Sequence, residues 1–353
     1  MIQKKYILPL LLFIQIIVLK IVSFFPEFIE KYYSNGLYPI ISKISRTTFG
    51  FTSVSIGDLI YGIVLFLIFR WFWNVRKTWK INWKDNLLKV LGFASVFYFL
   101  FHFLWATNYH RVKLFEKMEI DKEYSIEELE AFTLKLIKKT NFIHQQITQN
   151  DSVKVVVPYS NQEIFDLSVK SYTSLEKEFS FFGYEKESIK PSLISIPLSY
   201  MGFGGYLNPF TNEAQVNDRL PKYNFPTTTL HEMAHQIGYA SESEANFIGF
   251  LASVKSDDIY FQYSGYSFAV KHCLRNLERI EEGSSEKFLP FINPGVLENF
   301  AESKQFHEEY KTFLEPIFKT FYDNFLKFNQ QKDGLEGYSK FVGLMIGMEK
   351  SVQ

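Results

Sequence analysis

The chain has 353 residues, and its 38 Lys+Arg are balanced by 38 Asp+Glu, so the formal net charge is zero. That balance argues against a nucleic-acid binder. A content of 47% hydrophobic and 22% charged residues argues against a disordered chain. A single cysteine, Cys273, excludes an internal disulfide framework and a thiolate zinc cluster. The neutrality conceals two unlike parts. Residues 1–107 carry 12 Lys/Arg against 4 Asp/Glu, and residues 108–353 carry 26 against 34. The basic, apolar front reads as a membrane part and the acidic back as a water-soluble part.

Three apolar segments open the chain. Ile7–Phe25 is interrupted by Pro9, Gln15 and Lys20, residues 54–73 by Asp58 and Arg70, and residues 87–106 by Lys89 and His102. A spanning helix needs about 20 largely apolar residues, so transmembrane helices are expected at about 7–25, 54–73 and 87–106. Lys20, Arg70 and Lys89 stand near segment ends, where long side chains reach the headgroups. Trp71, Trp73, Trp79, Trp83 and Trp105 cluster near the expected interfaces. No small-residue cleavage site follows the first segment, where Ser23-Phe24-Phe25-Pro26 stands, so an uncleaved anchor is favoured over a signal peptide. Lys4 and Lys5 share one side of three spans with Arg76, Lys77, Lys80 and Lys84, and the positive-inside rule makes that side cytoplasmic. The expected location is the cytoplasmic membrane, with the N-terminus inside. The loop 26–55 and residues 108–353 are then extracytoplasmic, in the periplasm of a two-membrane bacterium. The unpaired Cys273 is compatible with that compartment.

The back of the chain is long enough for one sizeable domain. Ser125 with Glu128 forms a capping-box pattern that opens a helix to about Gln146. Val153–Val157 reads as a strand, Asn161–Phe181 as an amphipathic helix and Ser192–Tyr200 as a second strand. Residues 204–217 read as a hairpin turning through Asn208-Pro209-Phe210-Thr211-Asn212, and the pattern after Pro226 is helical. The expected architecture is a membrane α-helical part with three transmembrane helices (1–107) and an α+β, zincin-like soluble domain (108–353), mostly helical with a small sheet.

His231-Glu232-Met233-Ala234-His235 is an HExxH pentapeptide. Helical spacing puts residues i and i+4 on one face, so both imidazoles can meet one tetrahedral ion. Glu232 then lies beside the ion without binding it, placed to take a proton from a water. Pro226 and Thr227–Thr229 supply a helix start, and Gly238 a helix stop. A third protein ligand is needed if one site stays open. Position 241, where a third His would extend the motif, is Ser. Glu242 and Glu244 follow. Helical zinc peptidases with a glutamate ligand use E-x-x-x-D, and Glu242 with Asn246 fits that spacing, the amide standing in for the carboxylate that supports a ligand His. Glu242 is favoured as the ligand, with Glu244 as the alternative; Glu244 also reads as a capping-box partner of Ser241. Neutral imidazole with carboxylate in a tetrahedral site suits zinc best.

Together these residues resemble the HExxH…ExEA[DN] signature of membrane-bound heat-shock and CaaX-type zinc peptidases and of phage-repressor-inactivating zincins, a gluzincin-type arrangement. The gap between the two halves is shorter here. Over nearly its whole length the chain resembles a family of bacterial three-span membrane proteins. That likeness rests on the three spans, on Trp105-x-x-Asn108-Tyr109-His110-Arg111, on HExxH-x-x-Gly238 and on Glu242-x-Glu244-Ala245-Asn246-Phe247. It implies a zincin-like domain and names no substrate.

A peptidase also needs a donor for the oxyanion. Tyr338 leads the candidates, with Tyr239, Tyr263, Tyr266 and His272 behind it. His102 is expected to make a hydrogen bond between helices, and His110 and Arg111 to anchor the chain at the membrane surface. The function expected is a membrane-anchored zinc metallopeptidase. Its peptide or protein substrate would pair with a strand in 192–217. The alternative is a zincin-like scaffold that binds at the same membrane face and cleaves nothing. A transporter component is disfavoured, because so few charges lie within the spans.

Overall fold

In the computed structural model, which describes residues 4–313, 315–329 and 338–352, the chain is mostly helical with one small sheet. Its front forms α1 (Ile7–Val22), α2 (Tyr38–Phe49), α3 (Ile56–Val75) and α4 (Trp83–Leu104). Lys4–Val22, Ile56–Val75 and Trp83–Leu104 are long and apolar enough to cross a membrane. Large apolar side chains on them stay exposed, as at Ile17, Leu65 and Phe93, a pattern that fits lipid and not water. Helix α1 packs along α4, with Leu8 over Gly92 and the Gln15 amide 3.3 Å from the Ser95 hydroxyl, while α3 packs along neither.

Residues 26–55 are not a free loop. Ile29–Leu37 winds as a π-helix, and Tyr38 and Ser42 of α2 donate their hydroxyls to the Gln236 carbonyl at 2.9 and 3.1 Å. The start of α3 is held just as firmly. Ser55 caps it by accepting from the Asp58 N–H at 2.9 Å. The carboxylate of Glu213 accepts from the Ile56 and Gly57 N–H groups at 3.1 and 2.5 Å. Lys190 pairs with that carboxylate and donates to the Phe49 and Val54 carbonyls and the Thr52 hydroxyl. Contacts therefore cross the 107/108 boundary at many points; it divides the chain in order but not in packing.

The remainder begins with α5 (Ile126–Thr148), opened by the Ser125–Glu128 capping box, and α6 (Asn161–Glu178), opened by a second box from Ser160 and Glu163. Then come β1 (Ile189–Pro191), α7 (Ser195–Met201), β2 (Gly205–Asn208) and β3 (Glu213–Val216). The strand order is β1-β3-β2, with β1 parallel and β2 antiparallel to β3, so the hairpin forms as expected and β2 lies at an edge. Two expected strands do not form. Residues 153–157 are extended but enter no sheet, because the Val155 N–H and C=O are bonded by the Asn299 side chain. Residues 192–200 turn instead of extending. The Ser192 hydroxyl accepts from the Ile194 N–H and the Ser195 hydroxyl donates to the Ser192 carbonyl, which bends the chain into α7.

Beyond the hairpin lie α8 (Phe225–Gln236), α9 (Glu242–Val254), α10 (Ile259–Ile280), α11 (Pro294–Tyr310), α12 (Glu315–Phe328) and α13 (Tyr338–Val352). Helix α8 runs between the sheet and α9, and its Leu230, Met233 and Ala234 are fully buried. Each of the two larger side chains contributes about 1.5–3 kcal/mol by that burial. Gly238, at φ +90°, ends α8, and the Tyr239 N–H returns to the Ala234 carbonyl at 3.1 Å. A side chain would be strained there, so glycine sets the reversal that brings α9 back across α8.

Candidate metal centre

Pro226 in the first turn of α8 starts the helix, and regular winding then places His231 and His235 one turn apart. Their ring centroids are 4.7 Å apart with the planes at 88°. One ligand atom each from His231, Glu232 and His235 falls within 4.8 Å of the others. The reversal at Gly238 delivers the first residue of α9 to the same spot. Glu242 Oε2 lies 3.3 Å from His231 Nε2, and Glu242 Oε1 lies 3.7 Å from His235 Nε2.

Glu244 goes elsewhere. Its carboxylate accepts from the Leu114 N–H at 2.8 Å, and Ser241 makes no side-chain cap to it. Of the two glutamates weighed from sequence, the structure brings Glu242 to the imidazoles and uses Glu244 to hold the segment after α4.

The protonation states are set by neighbours. His235 Nδ1 lies 2.7 Å from the Tyr239 carbonyl, so that nitrogen carries the proton and Nε2 carries the lone pair. Burial pushes the His235 pKa down to about 4, against the opposing pull of Glu242, so the ring is neutral at neutral pH. An Nε2 lone pair then faces a carboxylate oxygen with no proton between them. Burial opposes the ionisation of Glu242 too, but hydrogen bonding from His231, the nearby imidazoles and the Tyr322 hydroxyl hold it down to about 2. Two imidazoles and an ionised carboxylate converging in a buried place are a donor set that suits a divalent cation, once His231 gives up the proton it shares with Glu242.

Glu232 is buried, and burial pushes its pKa up to about 8, with His231 opposing and Glu242 reinforcing the shift. Among the described residues its Oε2 has no close hydrogen-bond partner, nor have His231 Nδ1 and Asn246 Nδ2. Gly205 of β2 makes room for it: a Cβ there would stand 2.7 Å from Glu232 Oε1. Asn246 lines the same cleft; burial opposes protonation of His231, but Glu242 and Glu232, with a smaller contribution from Asn246, raise its pKa.

The cleft has a volume of about 530 Å³. Among the oxyanion candidates named from sequence, His272 lines it. Tyr239 instead stacks under Arg111, Tyr263 donates to Asn299 at 2.8 Å, and Tyr266 packs on Phe250. Tyr338 opens α13, but its side chain lies outside the described residues. Four tyrosines not named as oxyanion candidates line the cleft, Tyr61, Tyr109, Tyr206 and Tyr322. The Tyr322 hydroxyl donates to Glu242 Oε1 at 2.6 Å. Nothing in the sequence sets it apart from the other tyrosines.

The Trp105–Arg111 stretch is the floor of this site and not an anchor at the membrane surface. The Trp105 indole donates to the His235 carbonyl at 3.1 Å. Arg111, 4% exposed, donates to the Gly238 carbonyl at 3.0 Å and to both Glu30 oxygens at 2.8 Å. His110 is buried as well. His102 stacks on Tyr98, and its carbonyl, not its ring, takes the Tyr33 and Thr107 hydroxyls.

The chain belongs to a family of proteins of unknown function, DUF3810, whose model matches residues 33–346. No curated protein and no solved structure matches it.

Proposed function

We propose that this member of the family is a membrane-anchored zinc metallopeptidase, with His231, His235 and Glu242 holding the ion. The observation that carries the reading is the convergence of two imidazole nitrogens on one carboxylate, with the carboxyl of Glu232 beside them. Zinc would supply Lewis acidity, polarising a peptide carbonyl and acidifying a water. The chain's own residues do the rest. Glu232 takes the proton from the attacking water and passes it to the leaving amine. Its burial keeps its proton affinity high enough for both steps. Tyr322 holds the ligand carboxylate in place through its hydroxyl, which donates to Glu242 Oε1. The Tyr239 carbonyl fixes the His235 ring, as partners behind metal ligands do. The open edge of β2 offers backbone groups to an extended peptide. In this reading the metal-site face of the protein lies outside the cytoplasmic membrane, because the basic residues near 4–5 and 76–84 lie at the opposite ends of the spans.

The test is metal content by mass spectrometry on the full chain in detergent, beside His231→Ala and Glu242→Ala. About one zinc per chain is expected in the wild type and a loss of at least tenfold in each variant. A folded wild type that takes up no divalent metal would sink the proposal. Full zinc occupancy with no hydrolysis of any peptide library would favour the scaffold reading instead.

A further inference from the structure

The cleft at the metal centre is bounded on one side by the membrane helices themselves. Tyr61 of α3 and Phe97 and Phe101 of α4 line it together with Glu232 and the histidines. Helices α3 and α4 do not pack along one another. What stands between them is the tip of the β-hairpin. Phe210 meets Tyr61 edge-on at 6.2 Å and Phe97 at 5.2 Å, and Tyr206 stacks on Tyr61 at 6.3 Å.

Strand β2 leads from the chemistry to this gap. Gly205 abuts Glu232, and Asn208, at the other end of the strand, abuts Gly57 in the first turn of α3. Three residue steps of about 3.3 Å separate them, so the distance is about 10 Å. Asn217 donates to the Gly204 carbonyl and Asn212 to the Asn208 carbonyl. Antiparallel alternation then leaves the N–H and C=O groups of Gly205 and Leu207 on the open edge. An extended peptide laid on that edge runs from Glu232 to the aromatic gap between α3 and α4 in a few residues. The register is rigid. Glu213 of β3 accepts from the first turn of α3, and Asp58 accepts from the Leu193 N–H at 2.7 Å and from the Tyr206 hydroxyl.

We infer that the substrate is a membrane-anchored polypeptide, cut within about six residues of its anchor, the anchor lying against α3 and α4 beside the hairpin tip. This rests on the peptidase reading above and adds where the substrate comes from. A soluble peptide would meet the same edge strand but would leave the ring pocket of Tyr61, Phe97 and Phe210 unused.

The experiment uses the zinc-loaded full chain in lipid nanodiscs. The probe is a single-span peptide with an apolar stretch of about 20 residues and two randomised windows, one starting next to the span and one about 20 residues away. A second probe carries the same windows without the span. Cut positions are read by mass spectrometry. Cuts confined to the near window, and at least tenfold scarcer on the spanless probe, are expected. Equal cutting of both windows, or of both probes, overturns the inference and leaves the peptidase reading standing. No cutting at all, with Glu232→Gln indistinguishable from the wild type, overturns the peptidase reading and this inference with it. A readout free of turnover is a photo-crosslinking amino acid in place of Phe97 in the Glu232→Gln chain. Adducts with the spanned probe at least tenfold above the spanless one are expected, and equal adducts count against the proposal.

Discussion

Helix α8 has two regions treated in opposite ways. At its carboxyl end, the backbone carbonyls are satisfied: those of His235, Gln236 and Gly238 accept from Trp105, Tyr38, Ser42 and Arg111. On its cleft face, and on α9 opposite, His231 Nδ1, Glu232 Oε2 and Asn246 Nδ2 are buried with no close hydrogen-bond partner among the described residues. An unsatisfied buried polar atom costs about 1–3 kcal/mol, and native proteins keep few of them. Saturation at one end shows that this sequence can supply partners where it needs them. On this one helix, the carbonyls at the carboxyl end serve stability and the unpaired atoms of the cleft face stand where chemistry is proposed.

The comparison can be pushed hardest at Glu232. Glu232→Gln is expected to lower peptide hydrolysis by about 10³–10⁴-fold, while leaving thermal stability unchanged or raised, since a buried carboxyl is removed. A large fall in melting temperature would show that the cleft face carries stability after all. Arg111→Met attacks the saturated end. Leaving Glu30 buried without its main partner is expected to cost about 3–5 kcal/mol, read as a lower denaturant midpoint, with zinc still bound by the folded fraction. An unchanged midpoint would show that the cap at Gly238 holds nothing in place.

The same pair predicts an acid response. Burial alone would raise the Glu30 pKa, but hydrogen bonds and charge from Arg111 and Lys117 outweigh it and hold the group below its ordinary value. The stabilisation is present above the unfolded pKa, about 4.3, and is lost as pH falls through the lowered folded value. Melting temperature should drop through that window, and Glu30→Gln should flatten part of the slope; identical slopes in both chains would refute the linkage. The smallest effect expected is that of Trp105→Phe, which removes one hydrogen bond to the His235 carbonyl and costs about 1 kcal/mol in the same denaturation assay.

What could be read from the sequence was local. HExxH, the stop at Gly238 and the nearness of Glu242 follow from helical spacing and one reversal. The hairpin was legible from its turn residues. The three apolar helices were legible from length, with ends shifted by a few residues. Tyr38 was not legible as a cap of α8, because it is nearly 200 residues away and nothing at the start of α2 announces its destination. Tyr322 was one of 21 tyrosines, distinguished only when α12 folds over the cleft. The misread stretch 192–200 shows the competing force: serine hydroxyls satisfied the backbone locally and turned a β-prone run into a helix.

The buried Lys190–Glu213 pair has a consequence for how the molecule is made. Its remaining partners, at 49–57, leave the ribosome more than 130 residues before it. So do Tyr38 and Ser42, which close the end of a helix not yet synthesised. The first-made quarter of the chain must wait at the bilayer surface, half-finished, until the last two thirds arrive and use it as a floor. A fragment that starts at residue 108 would carry the whole pentapeptide and both glutamates, yet would strip Lys190 and Glu213 of their partners and uncap the helix on which the histidines stand.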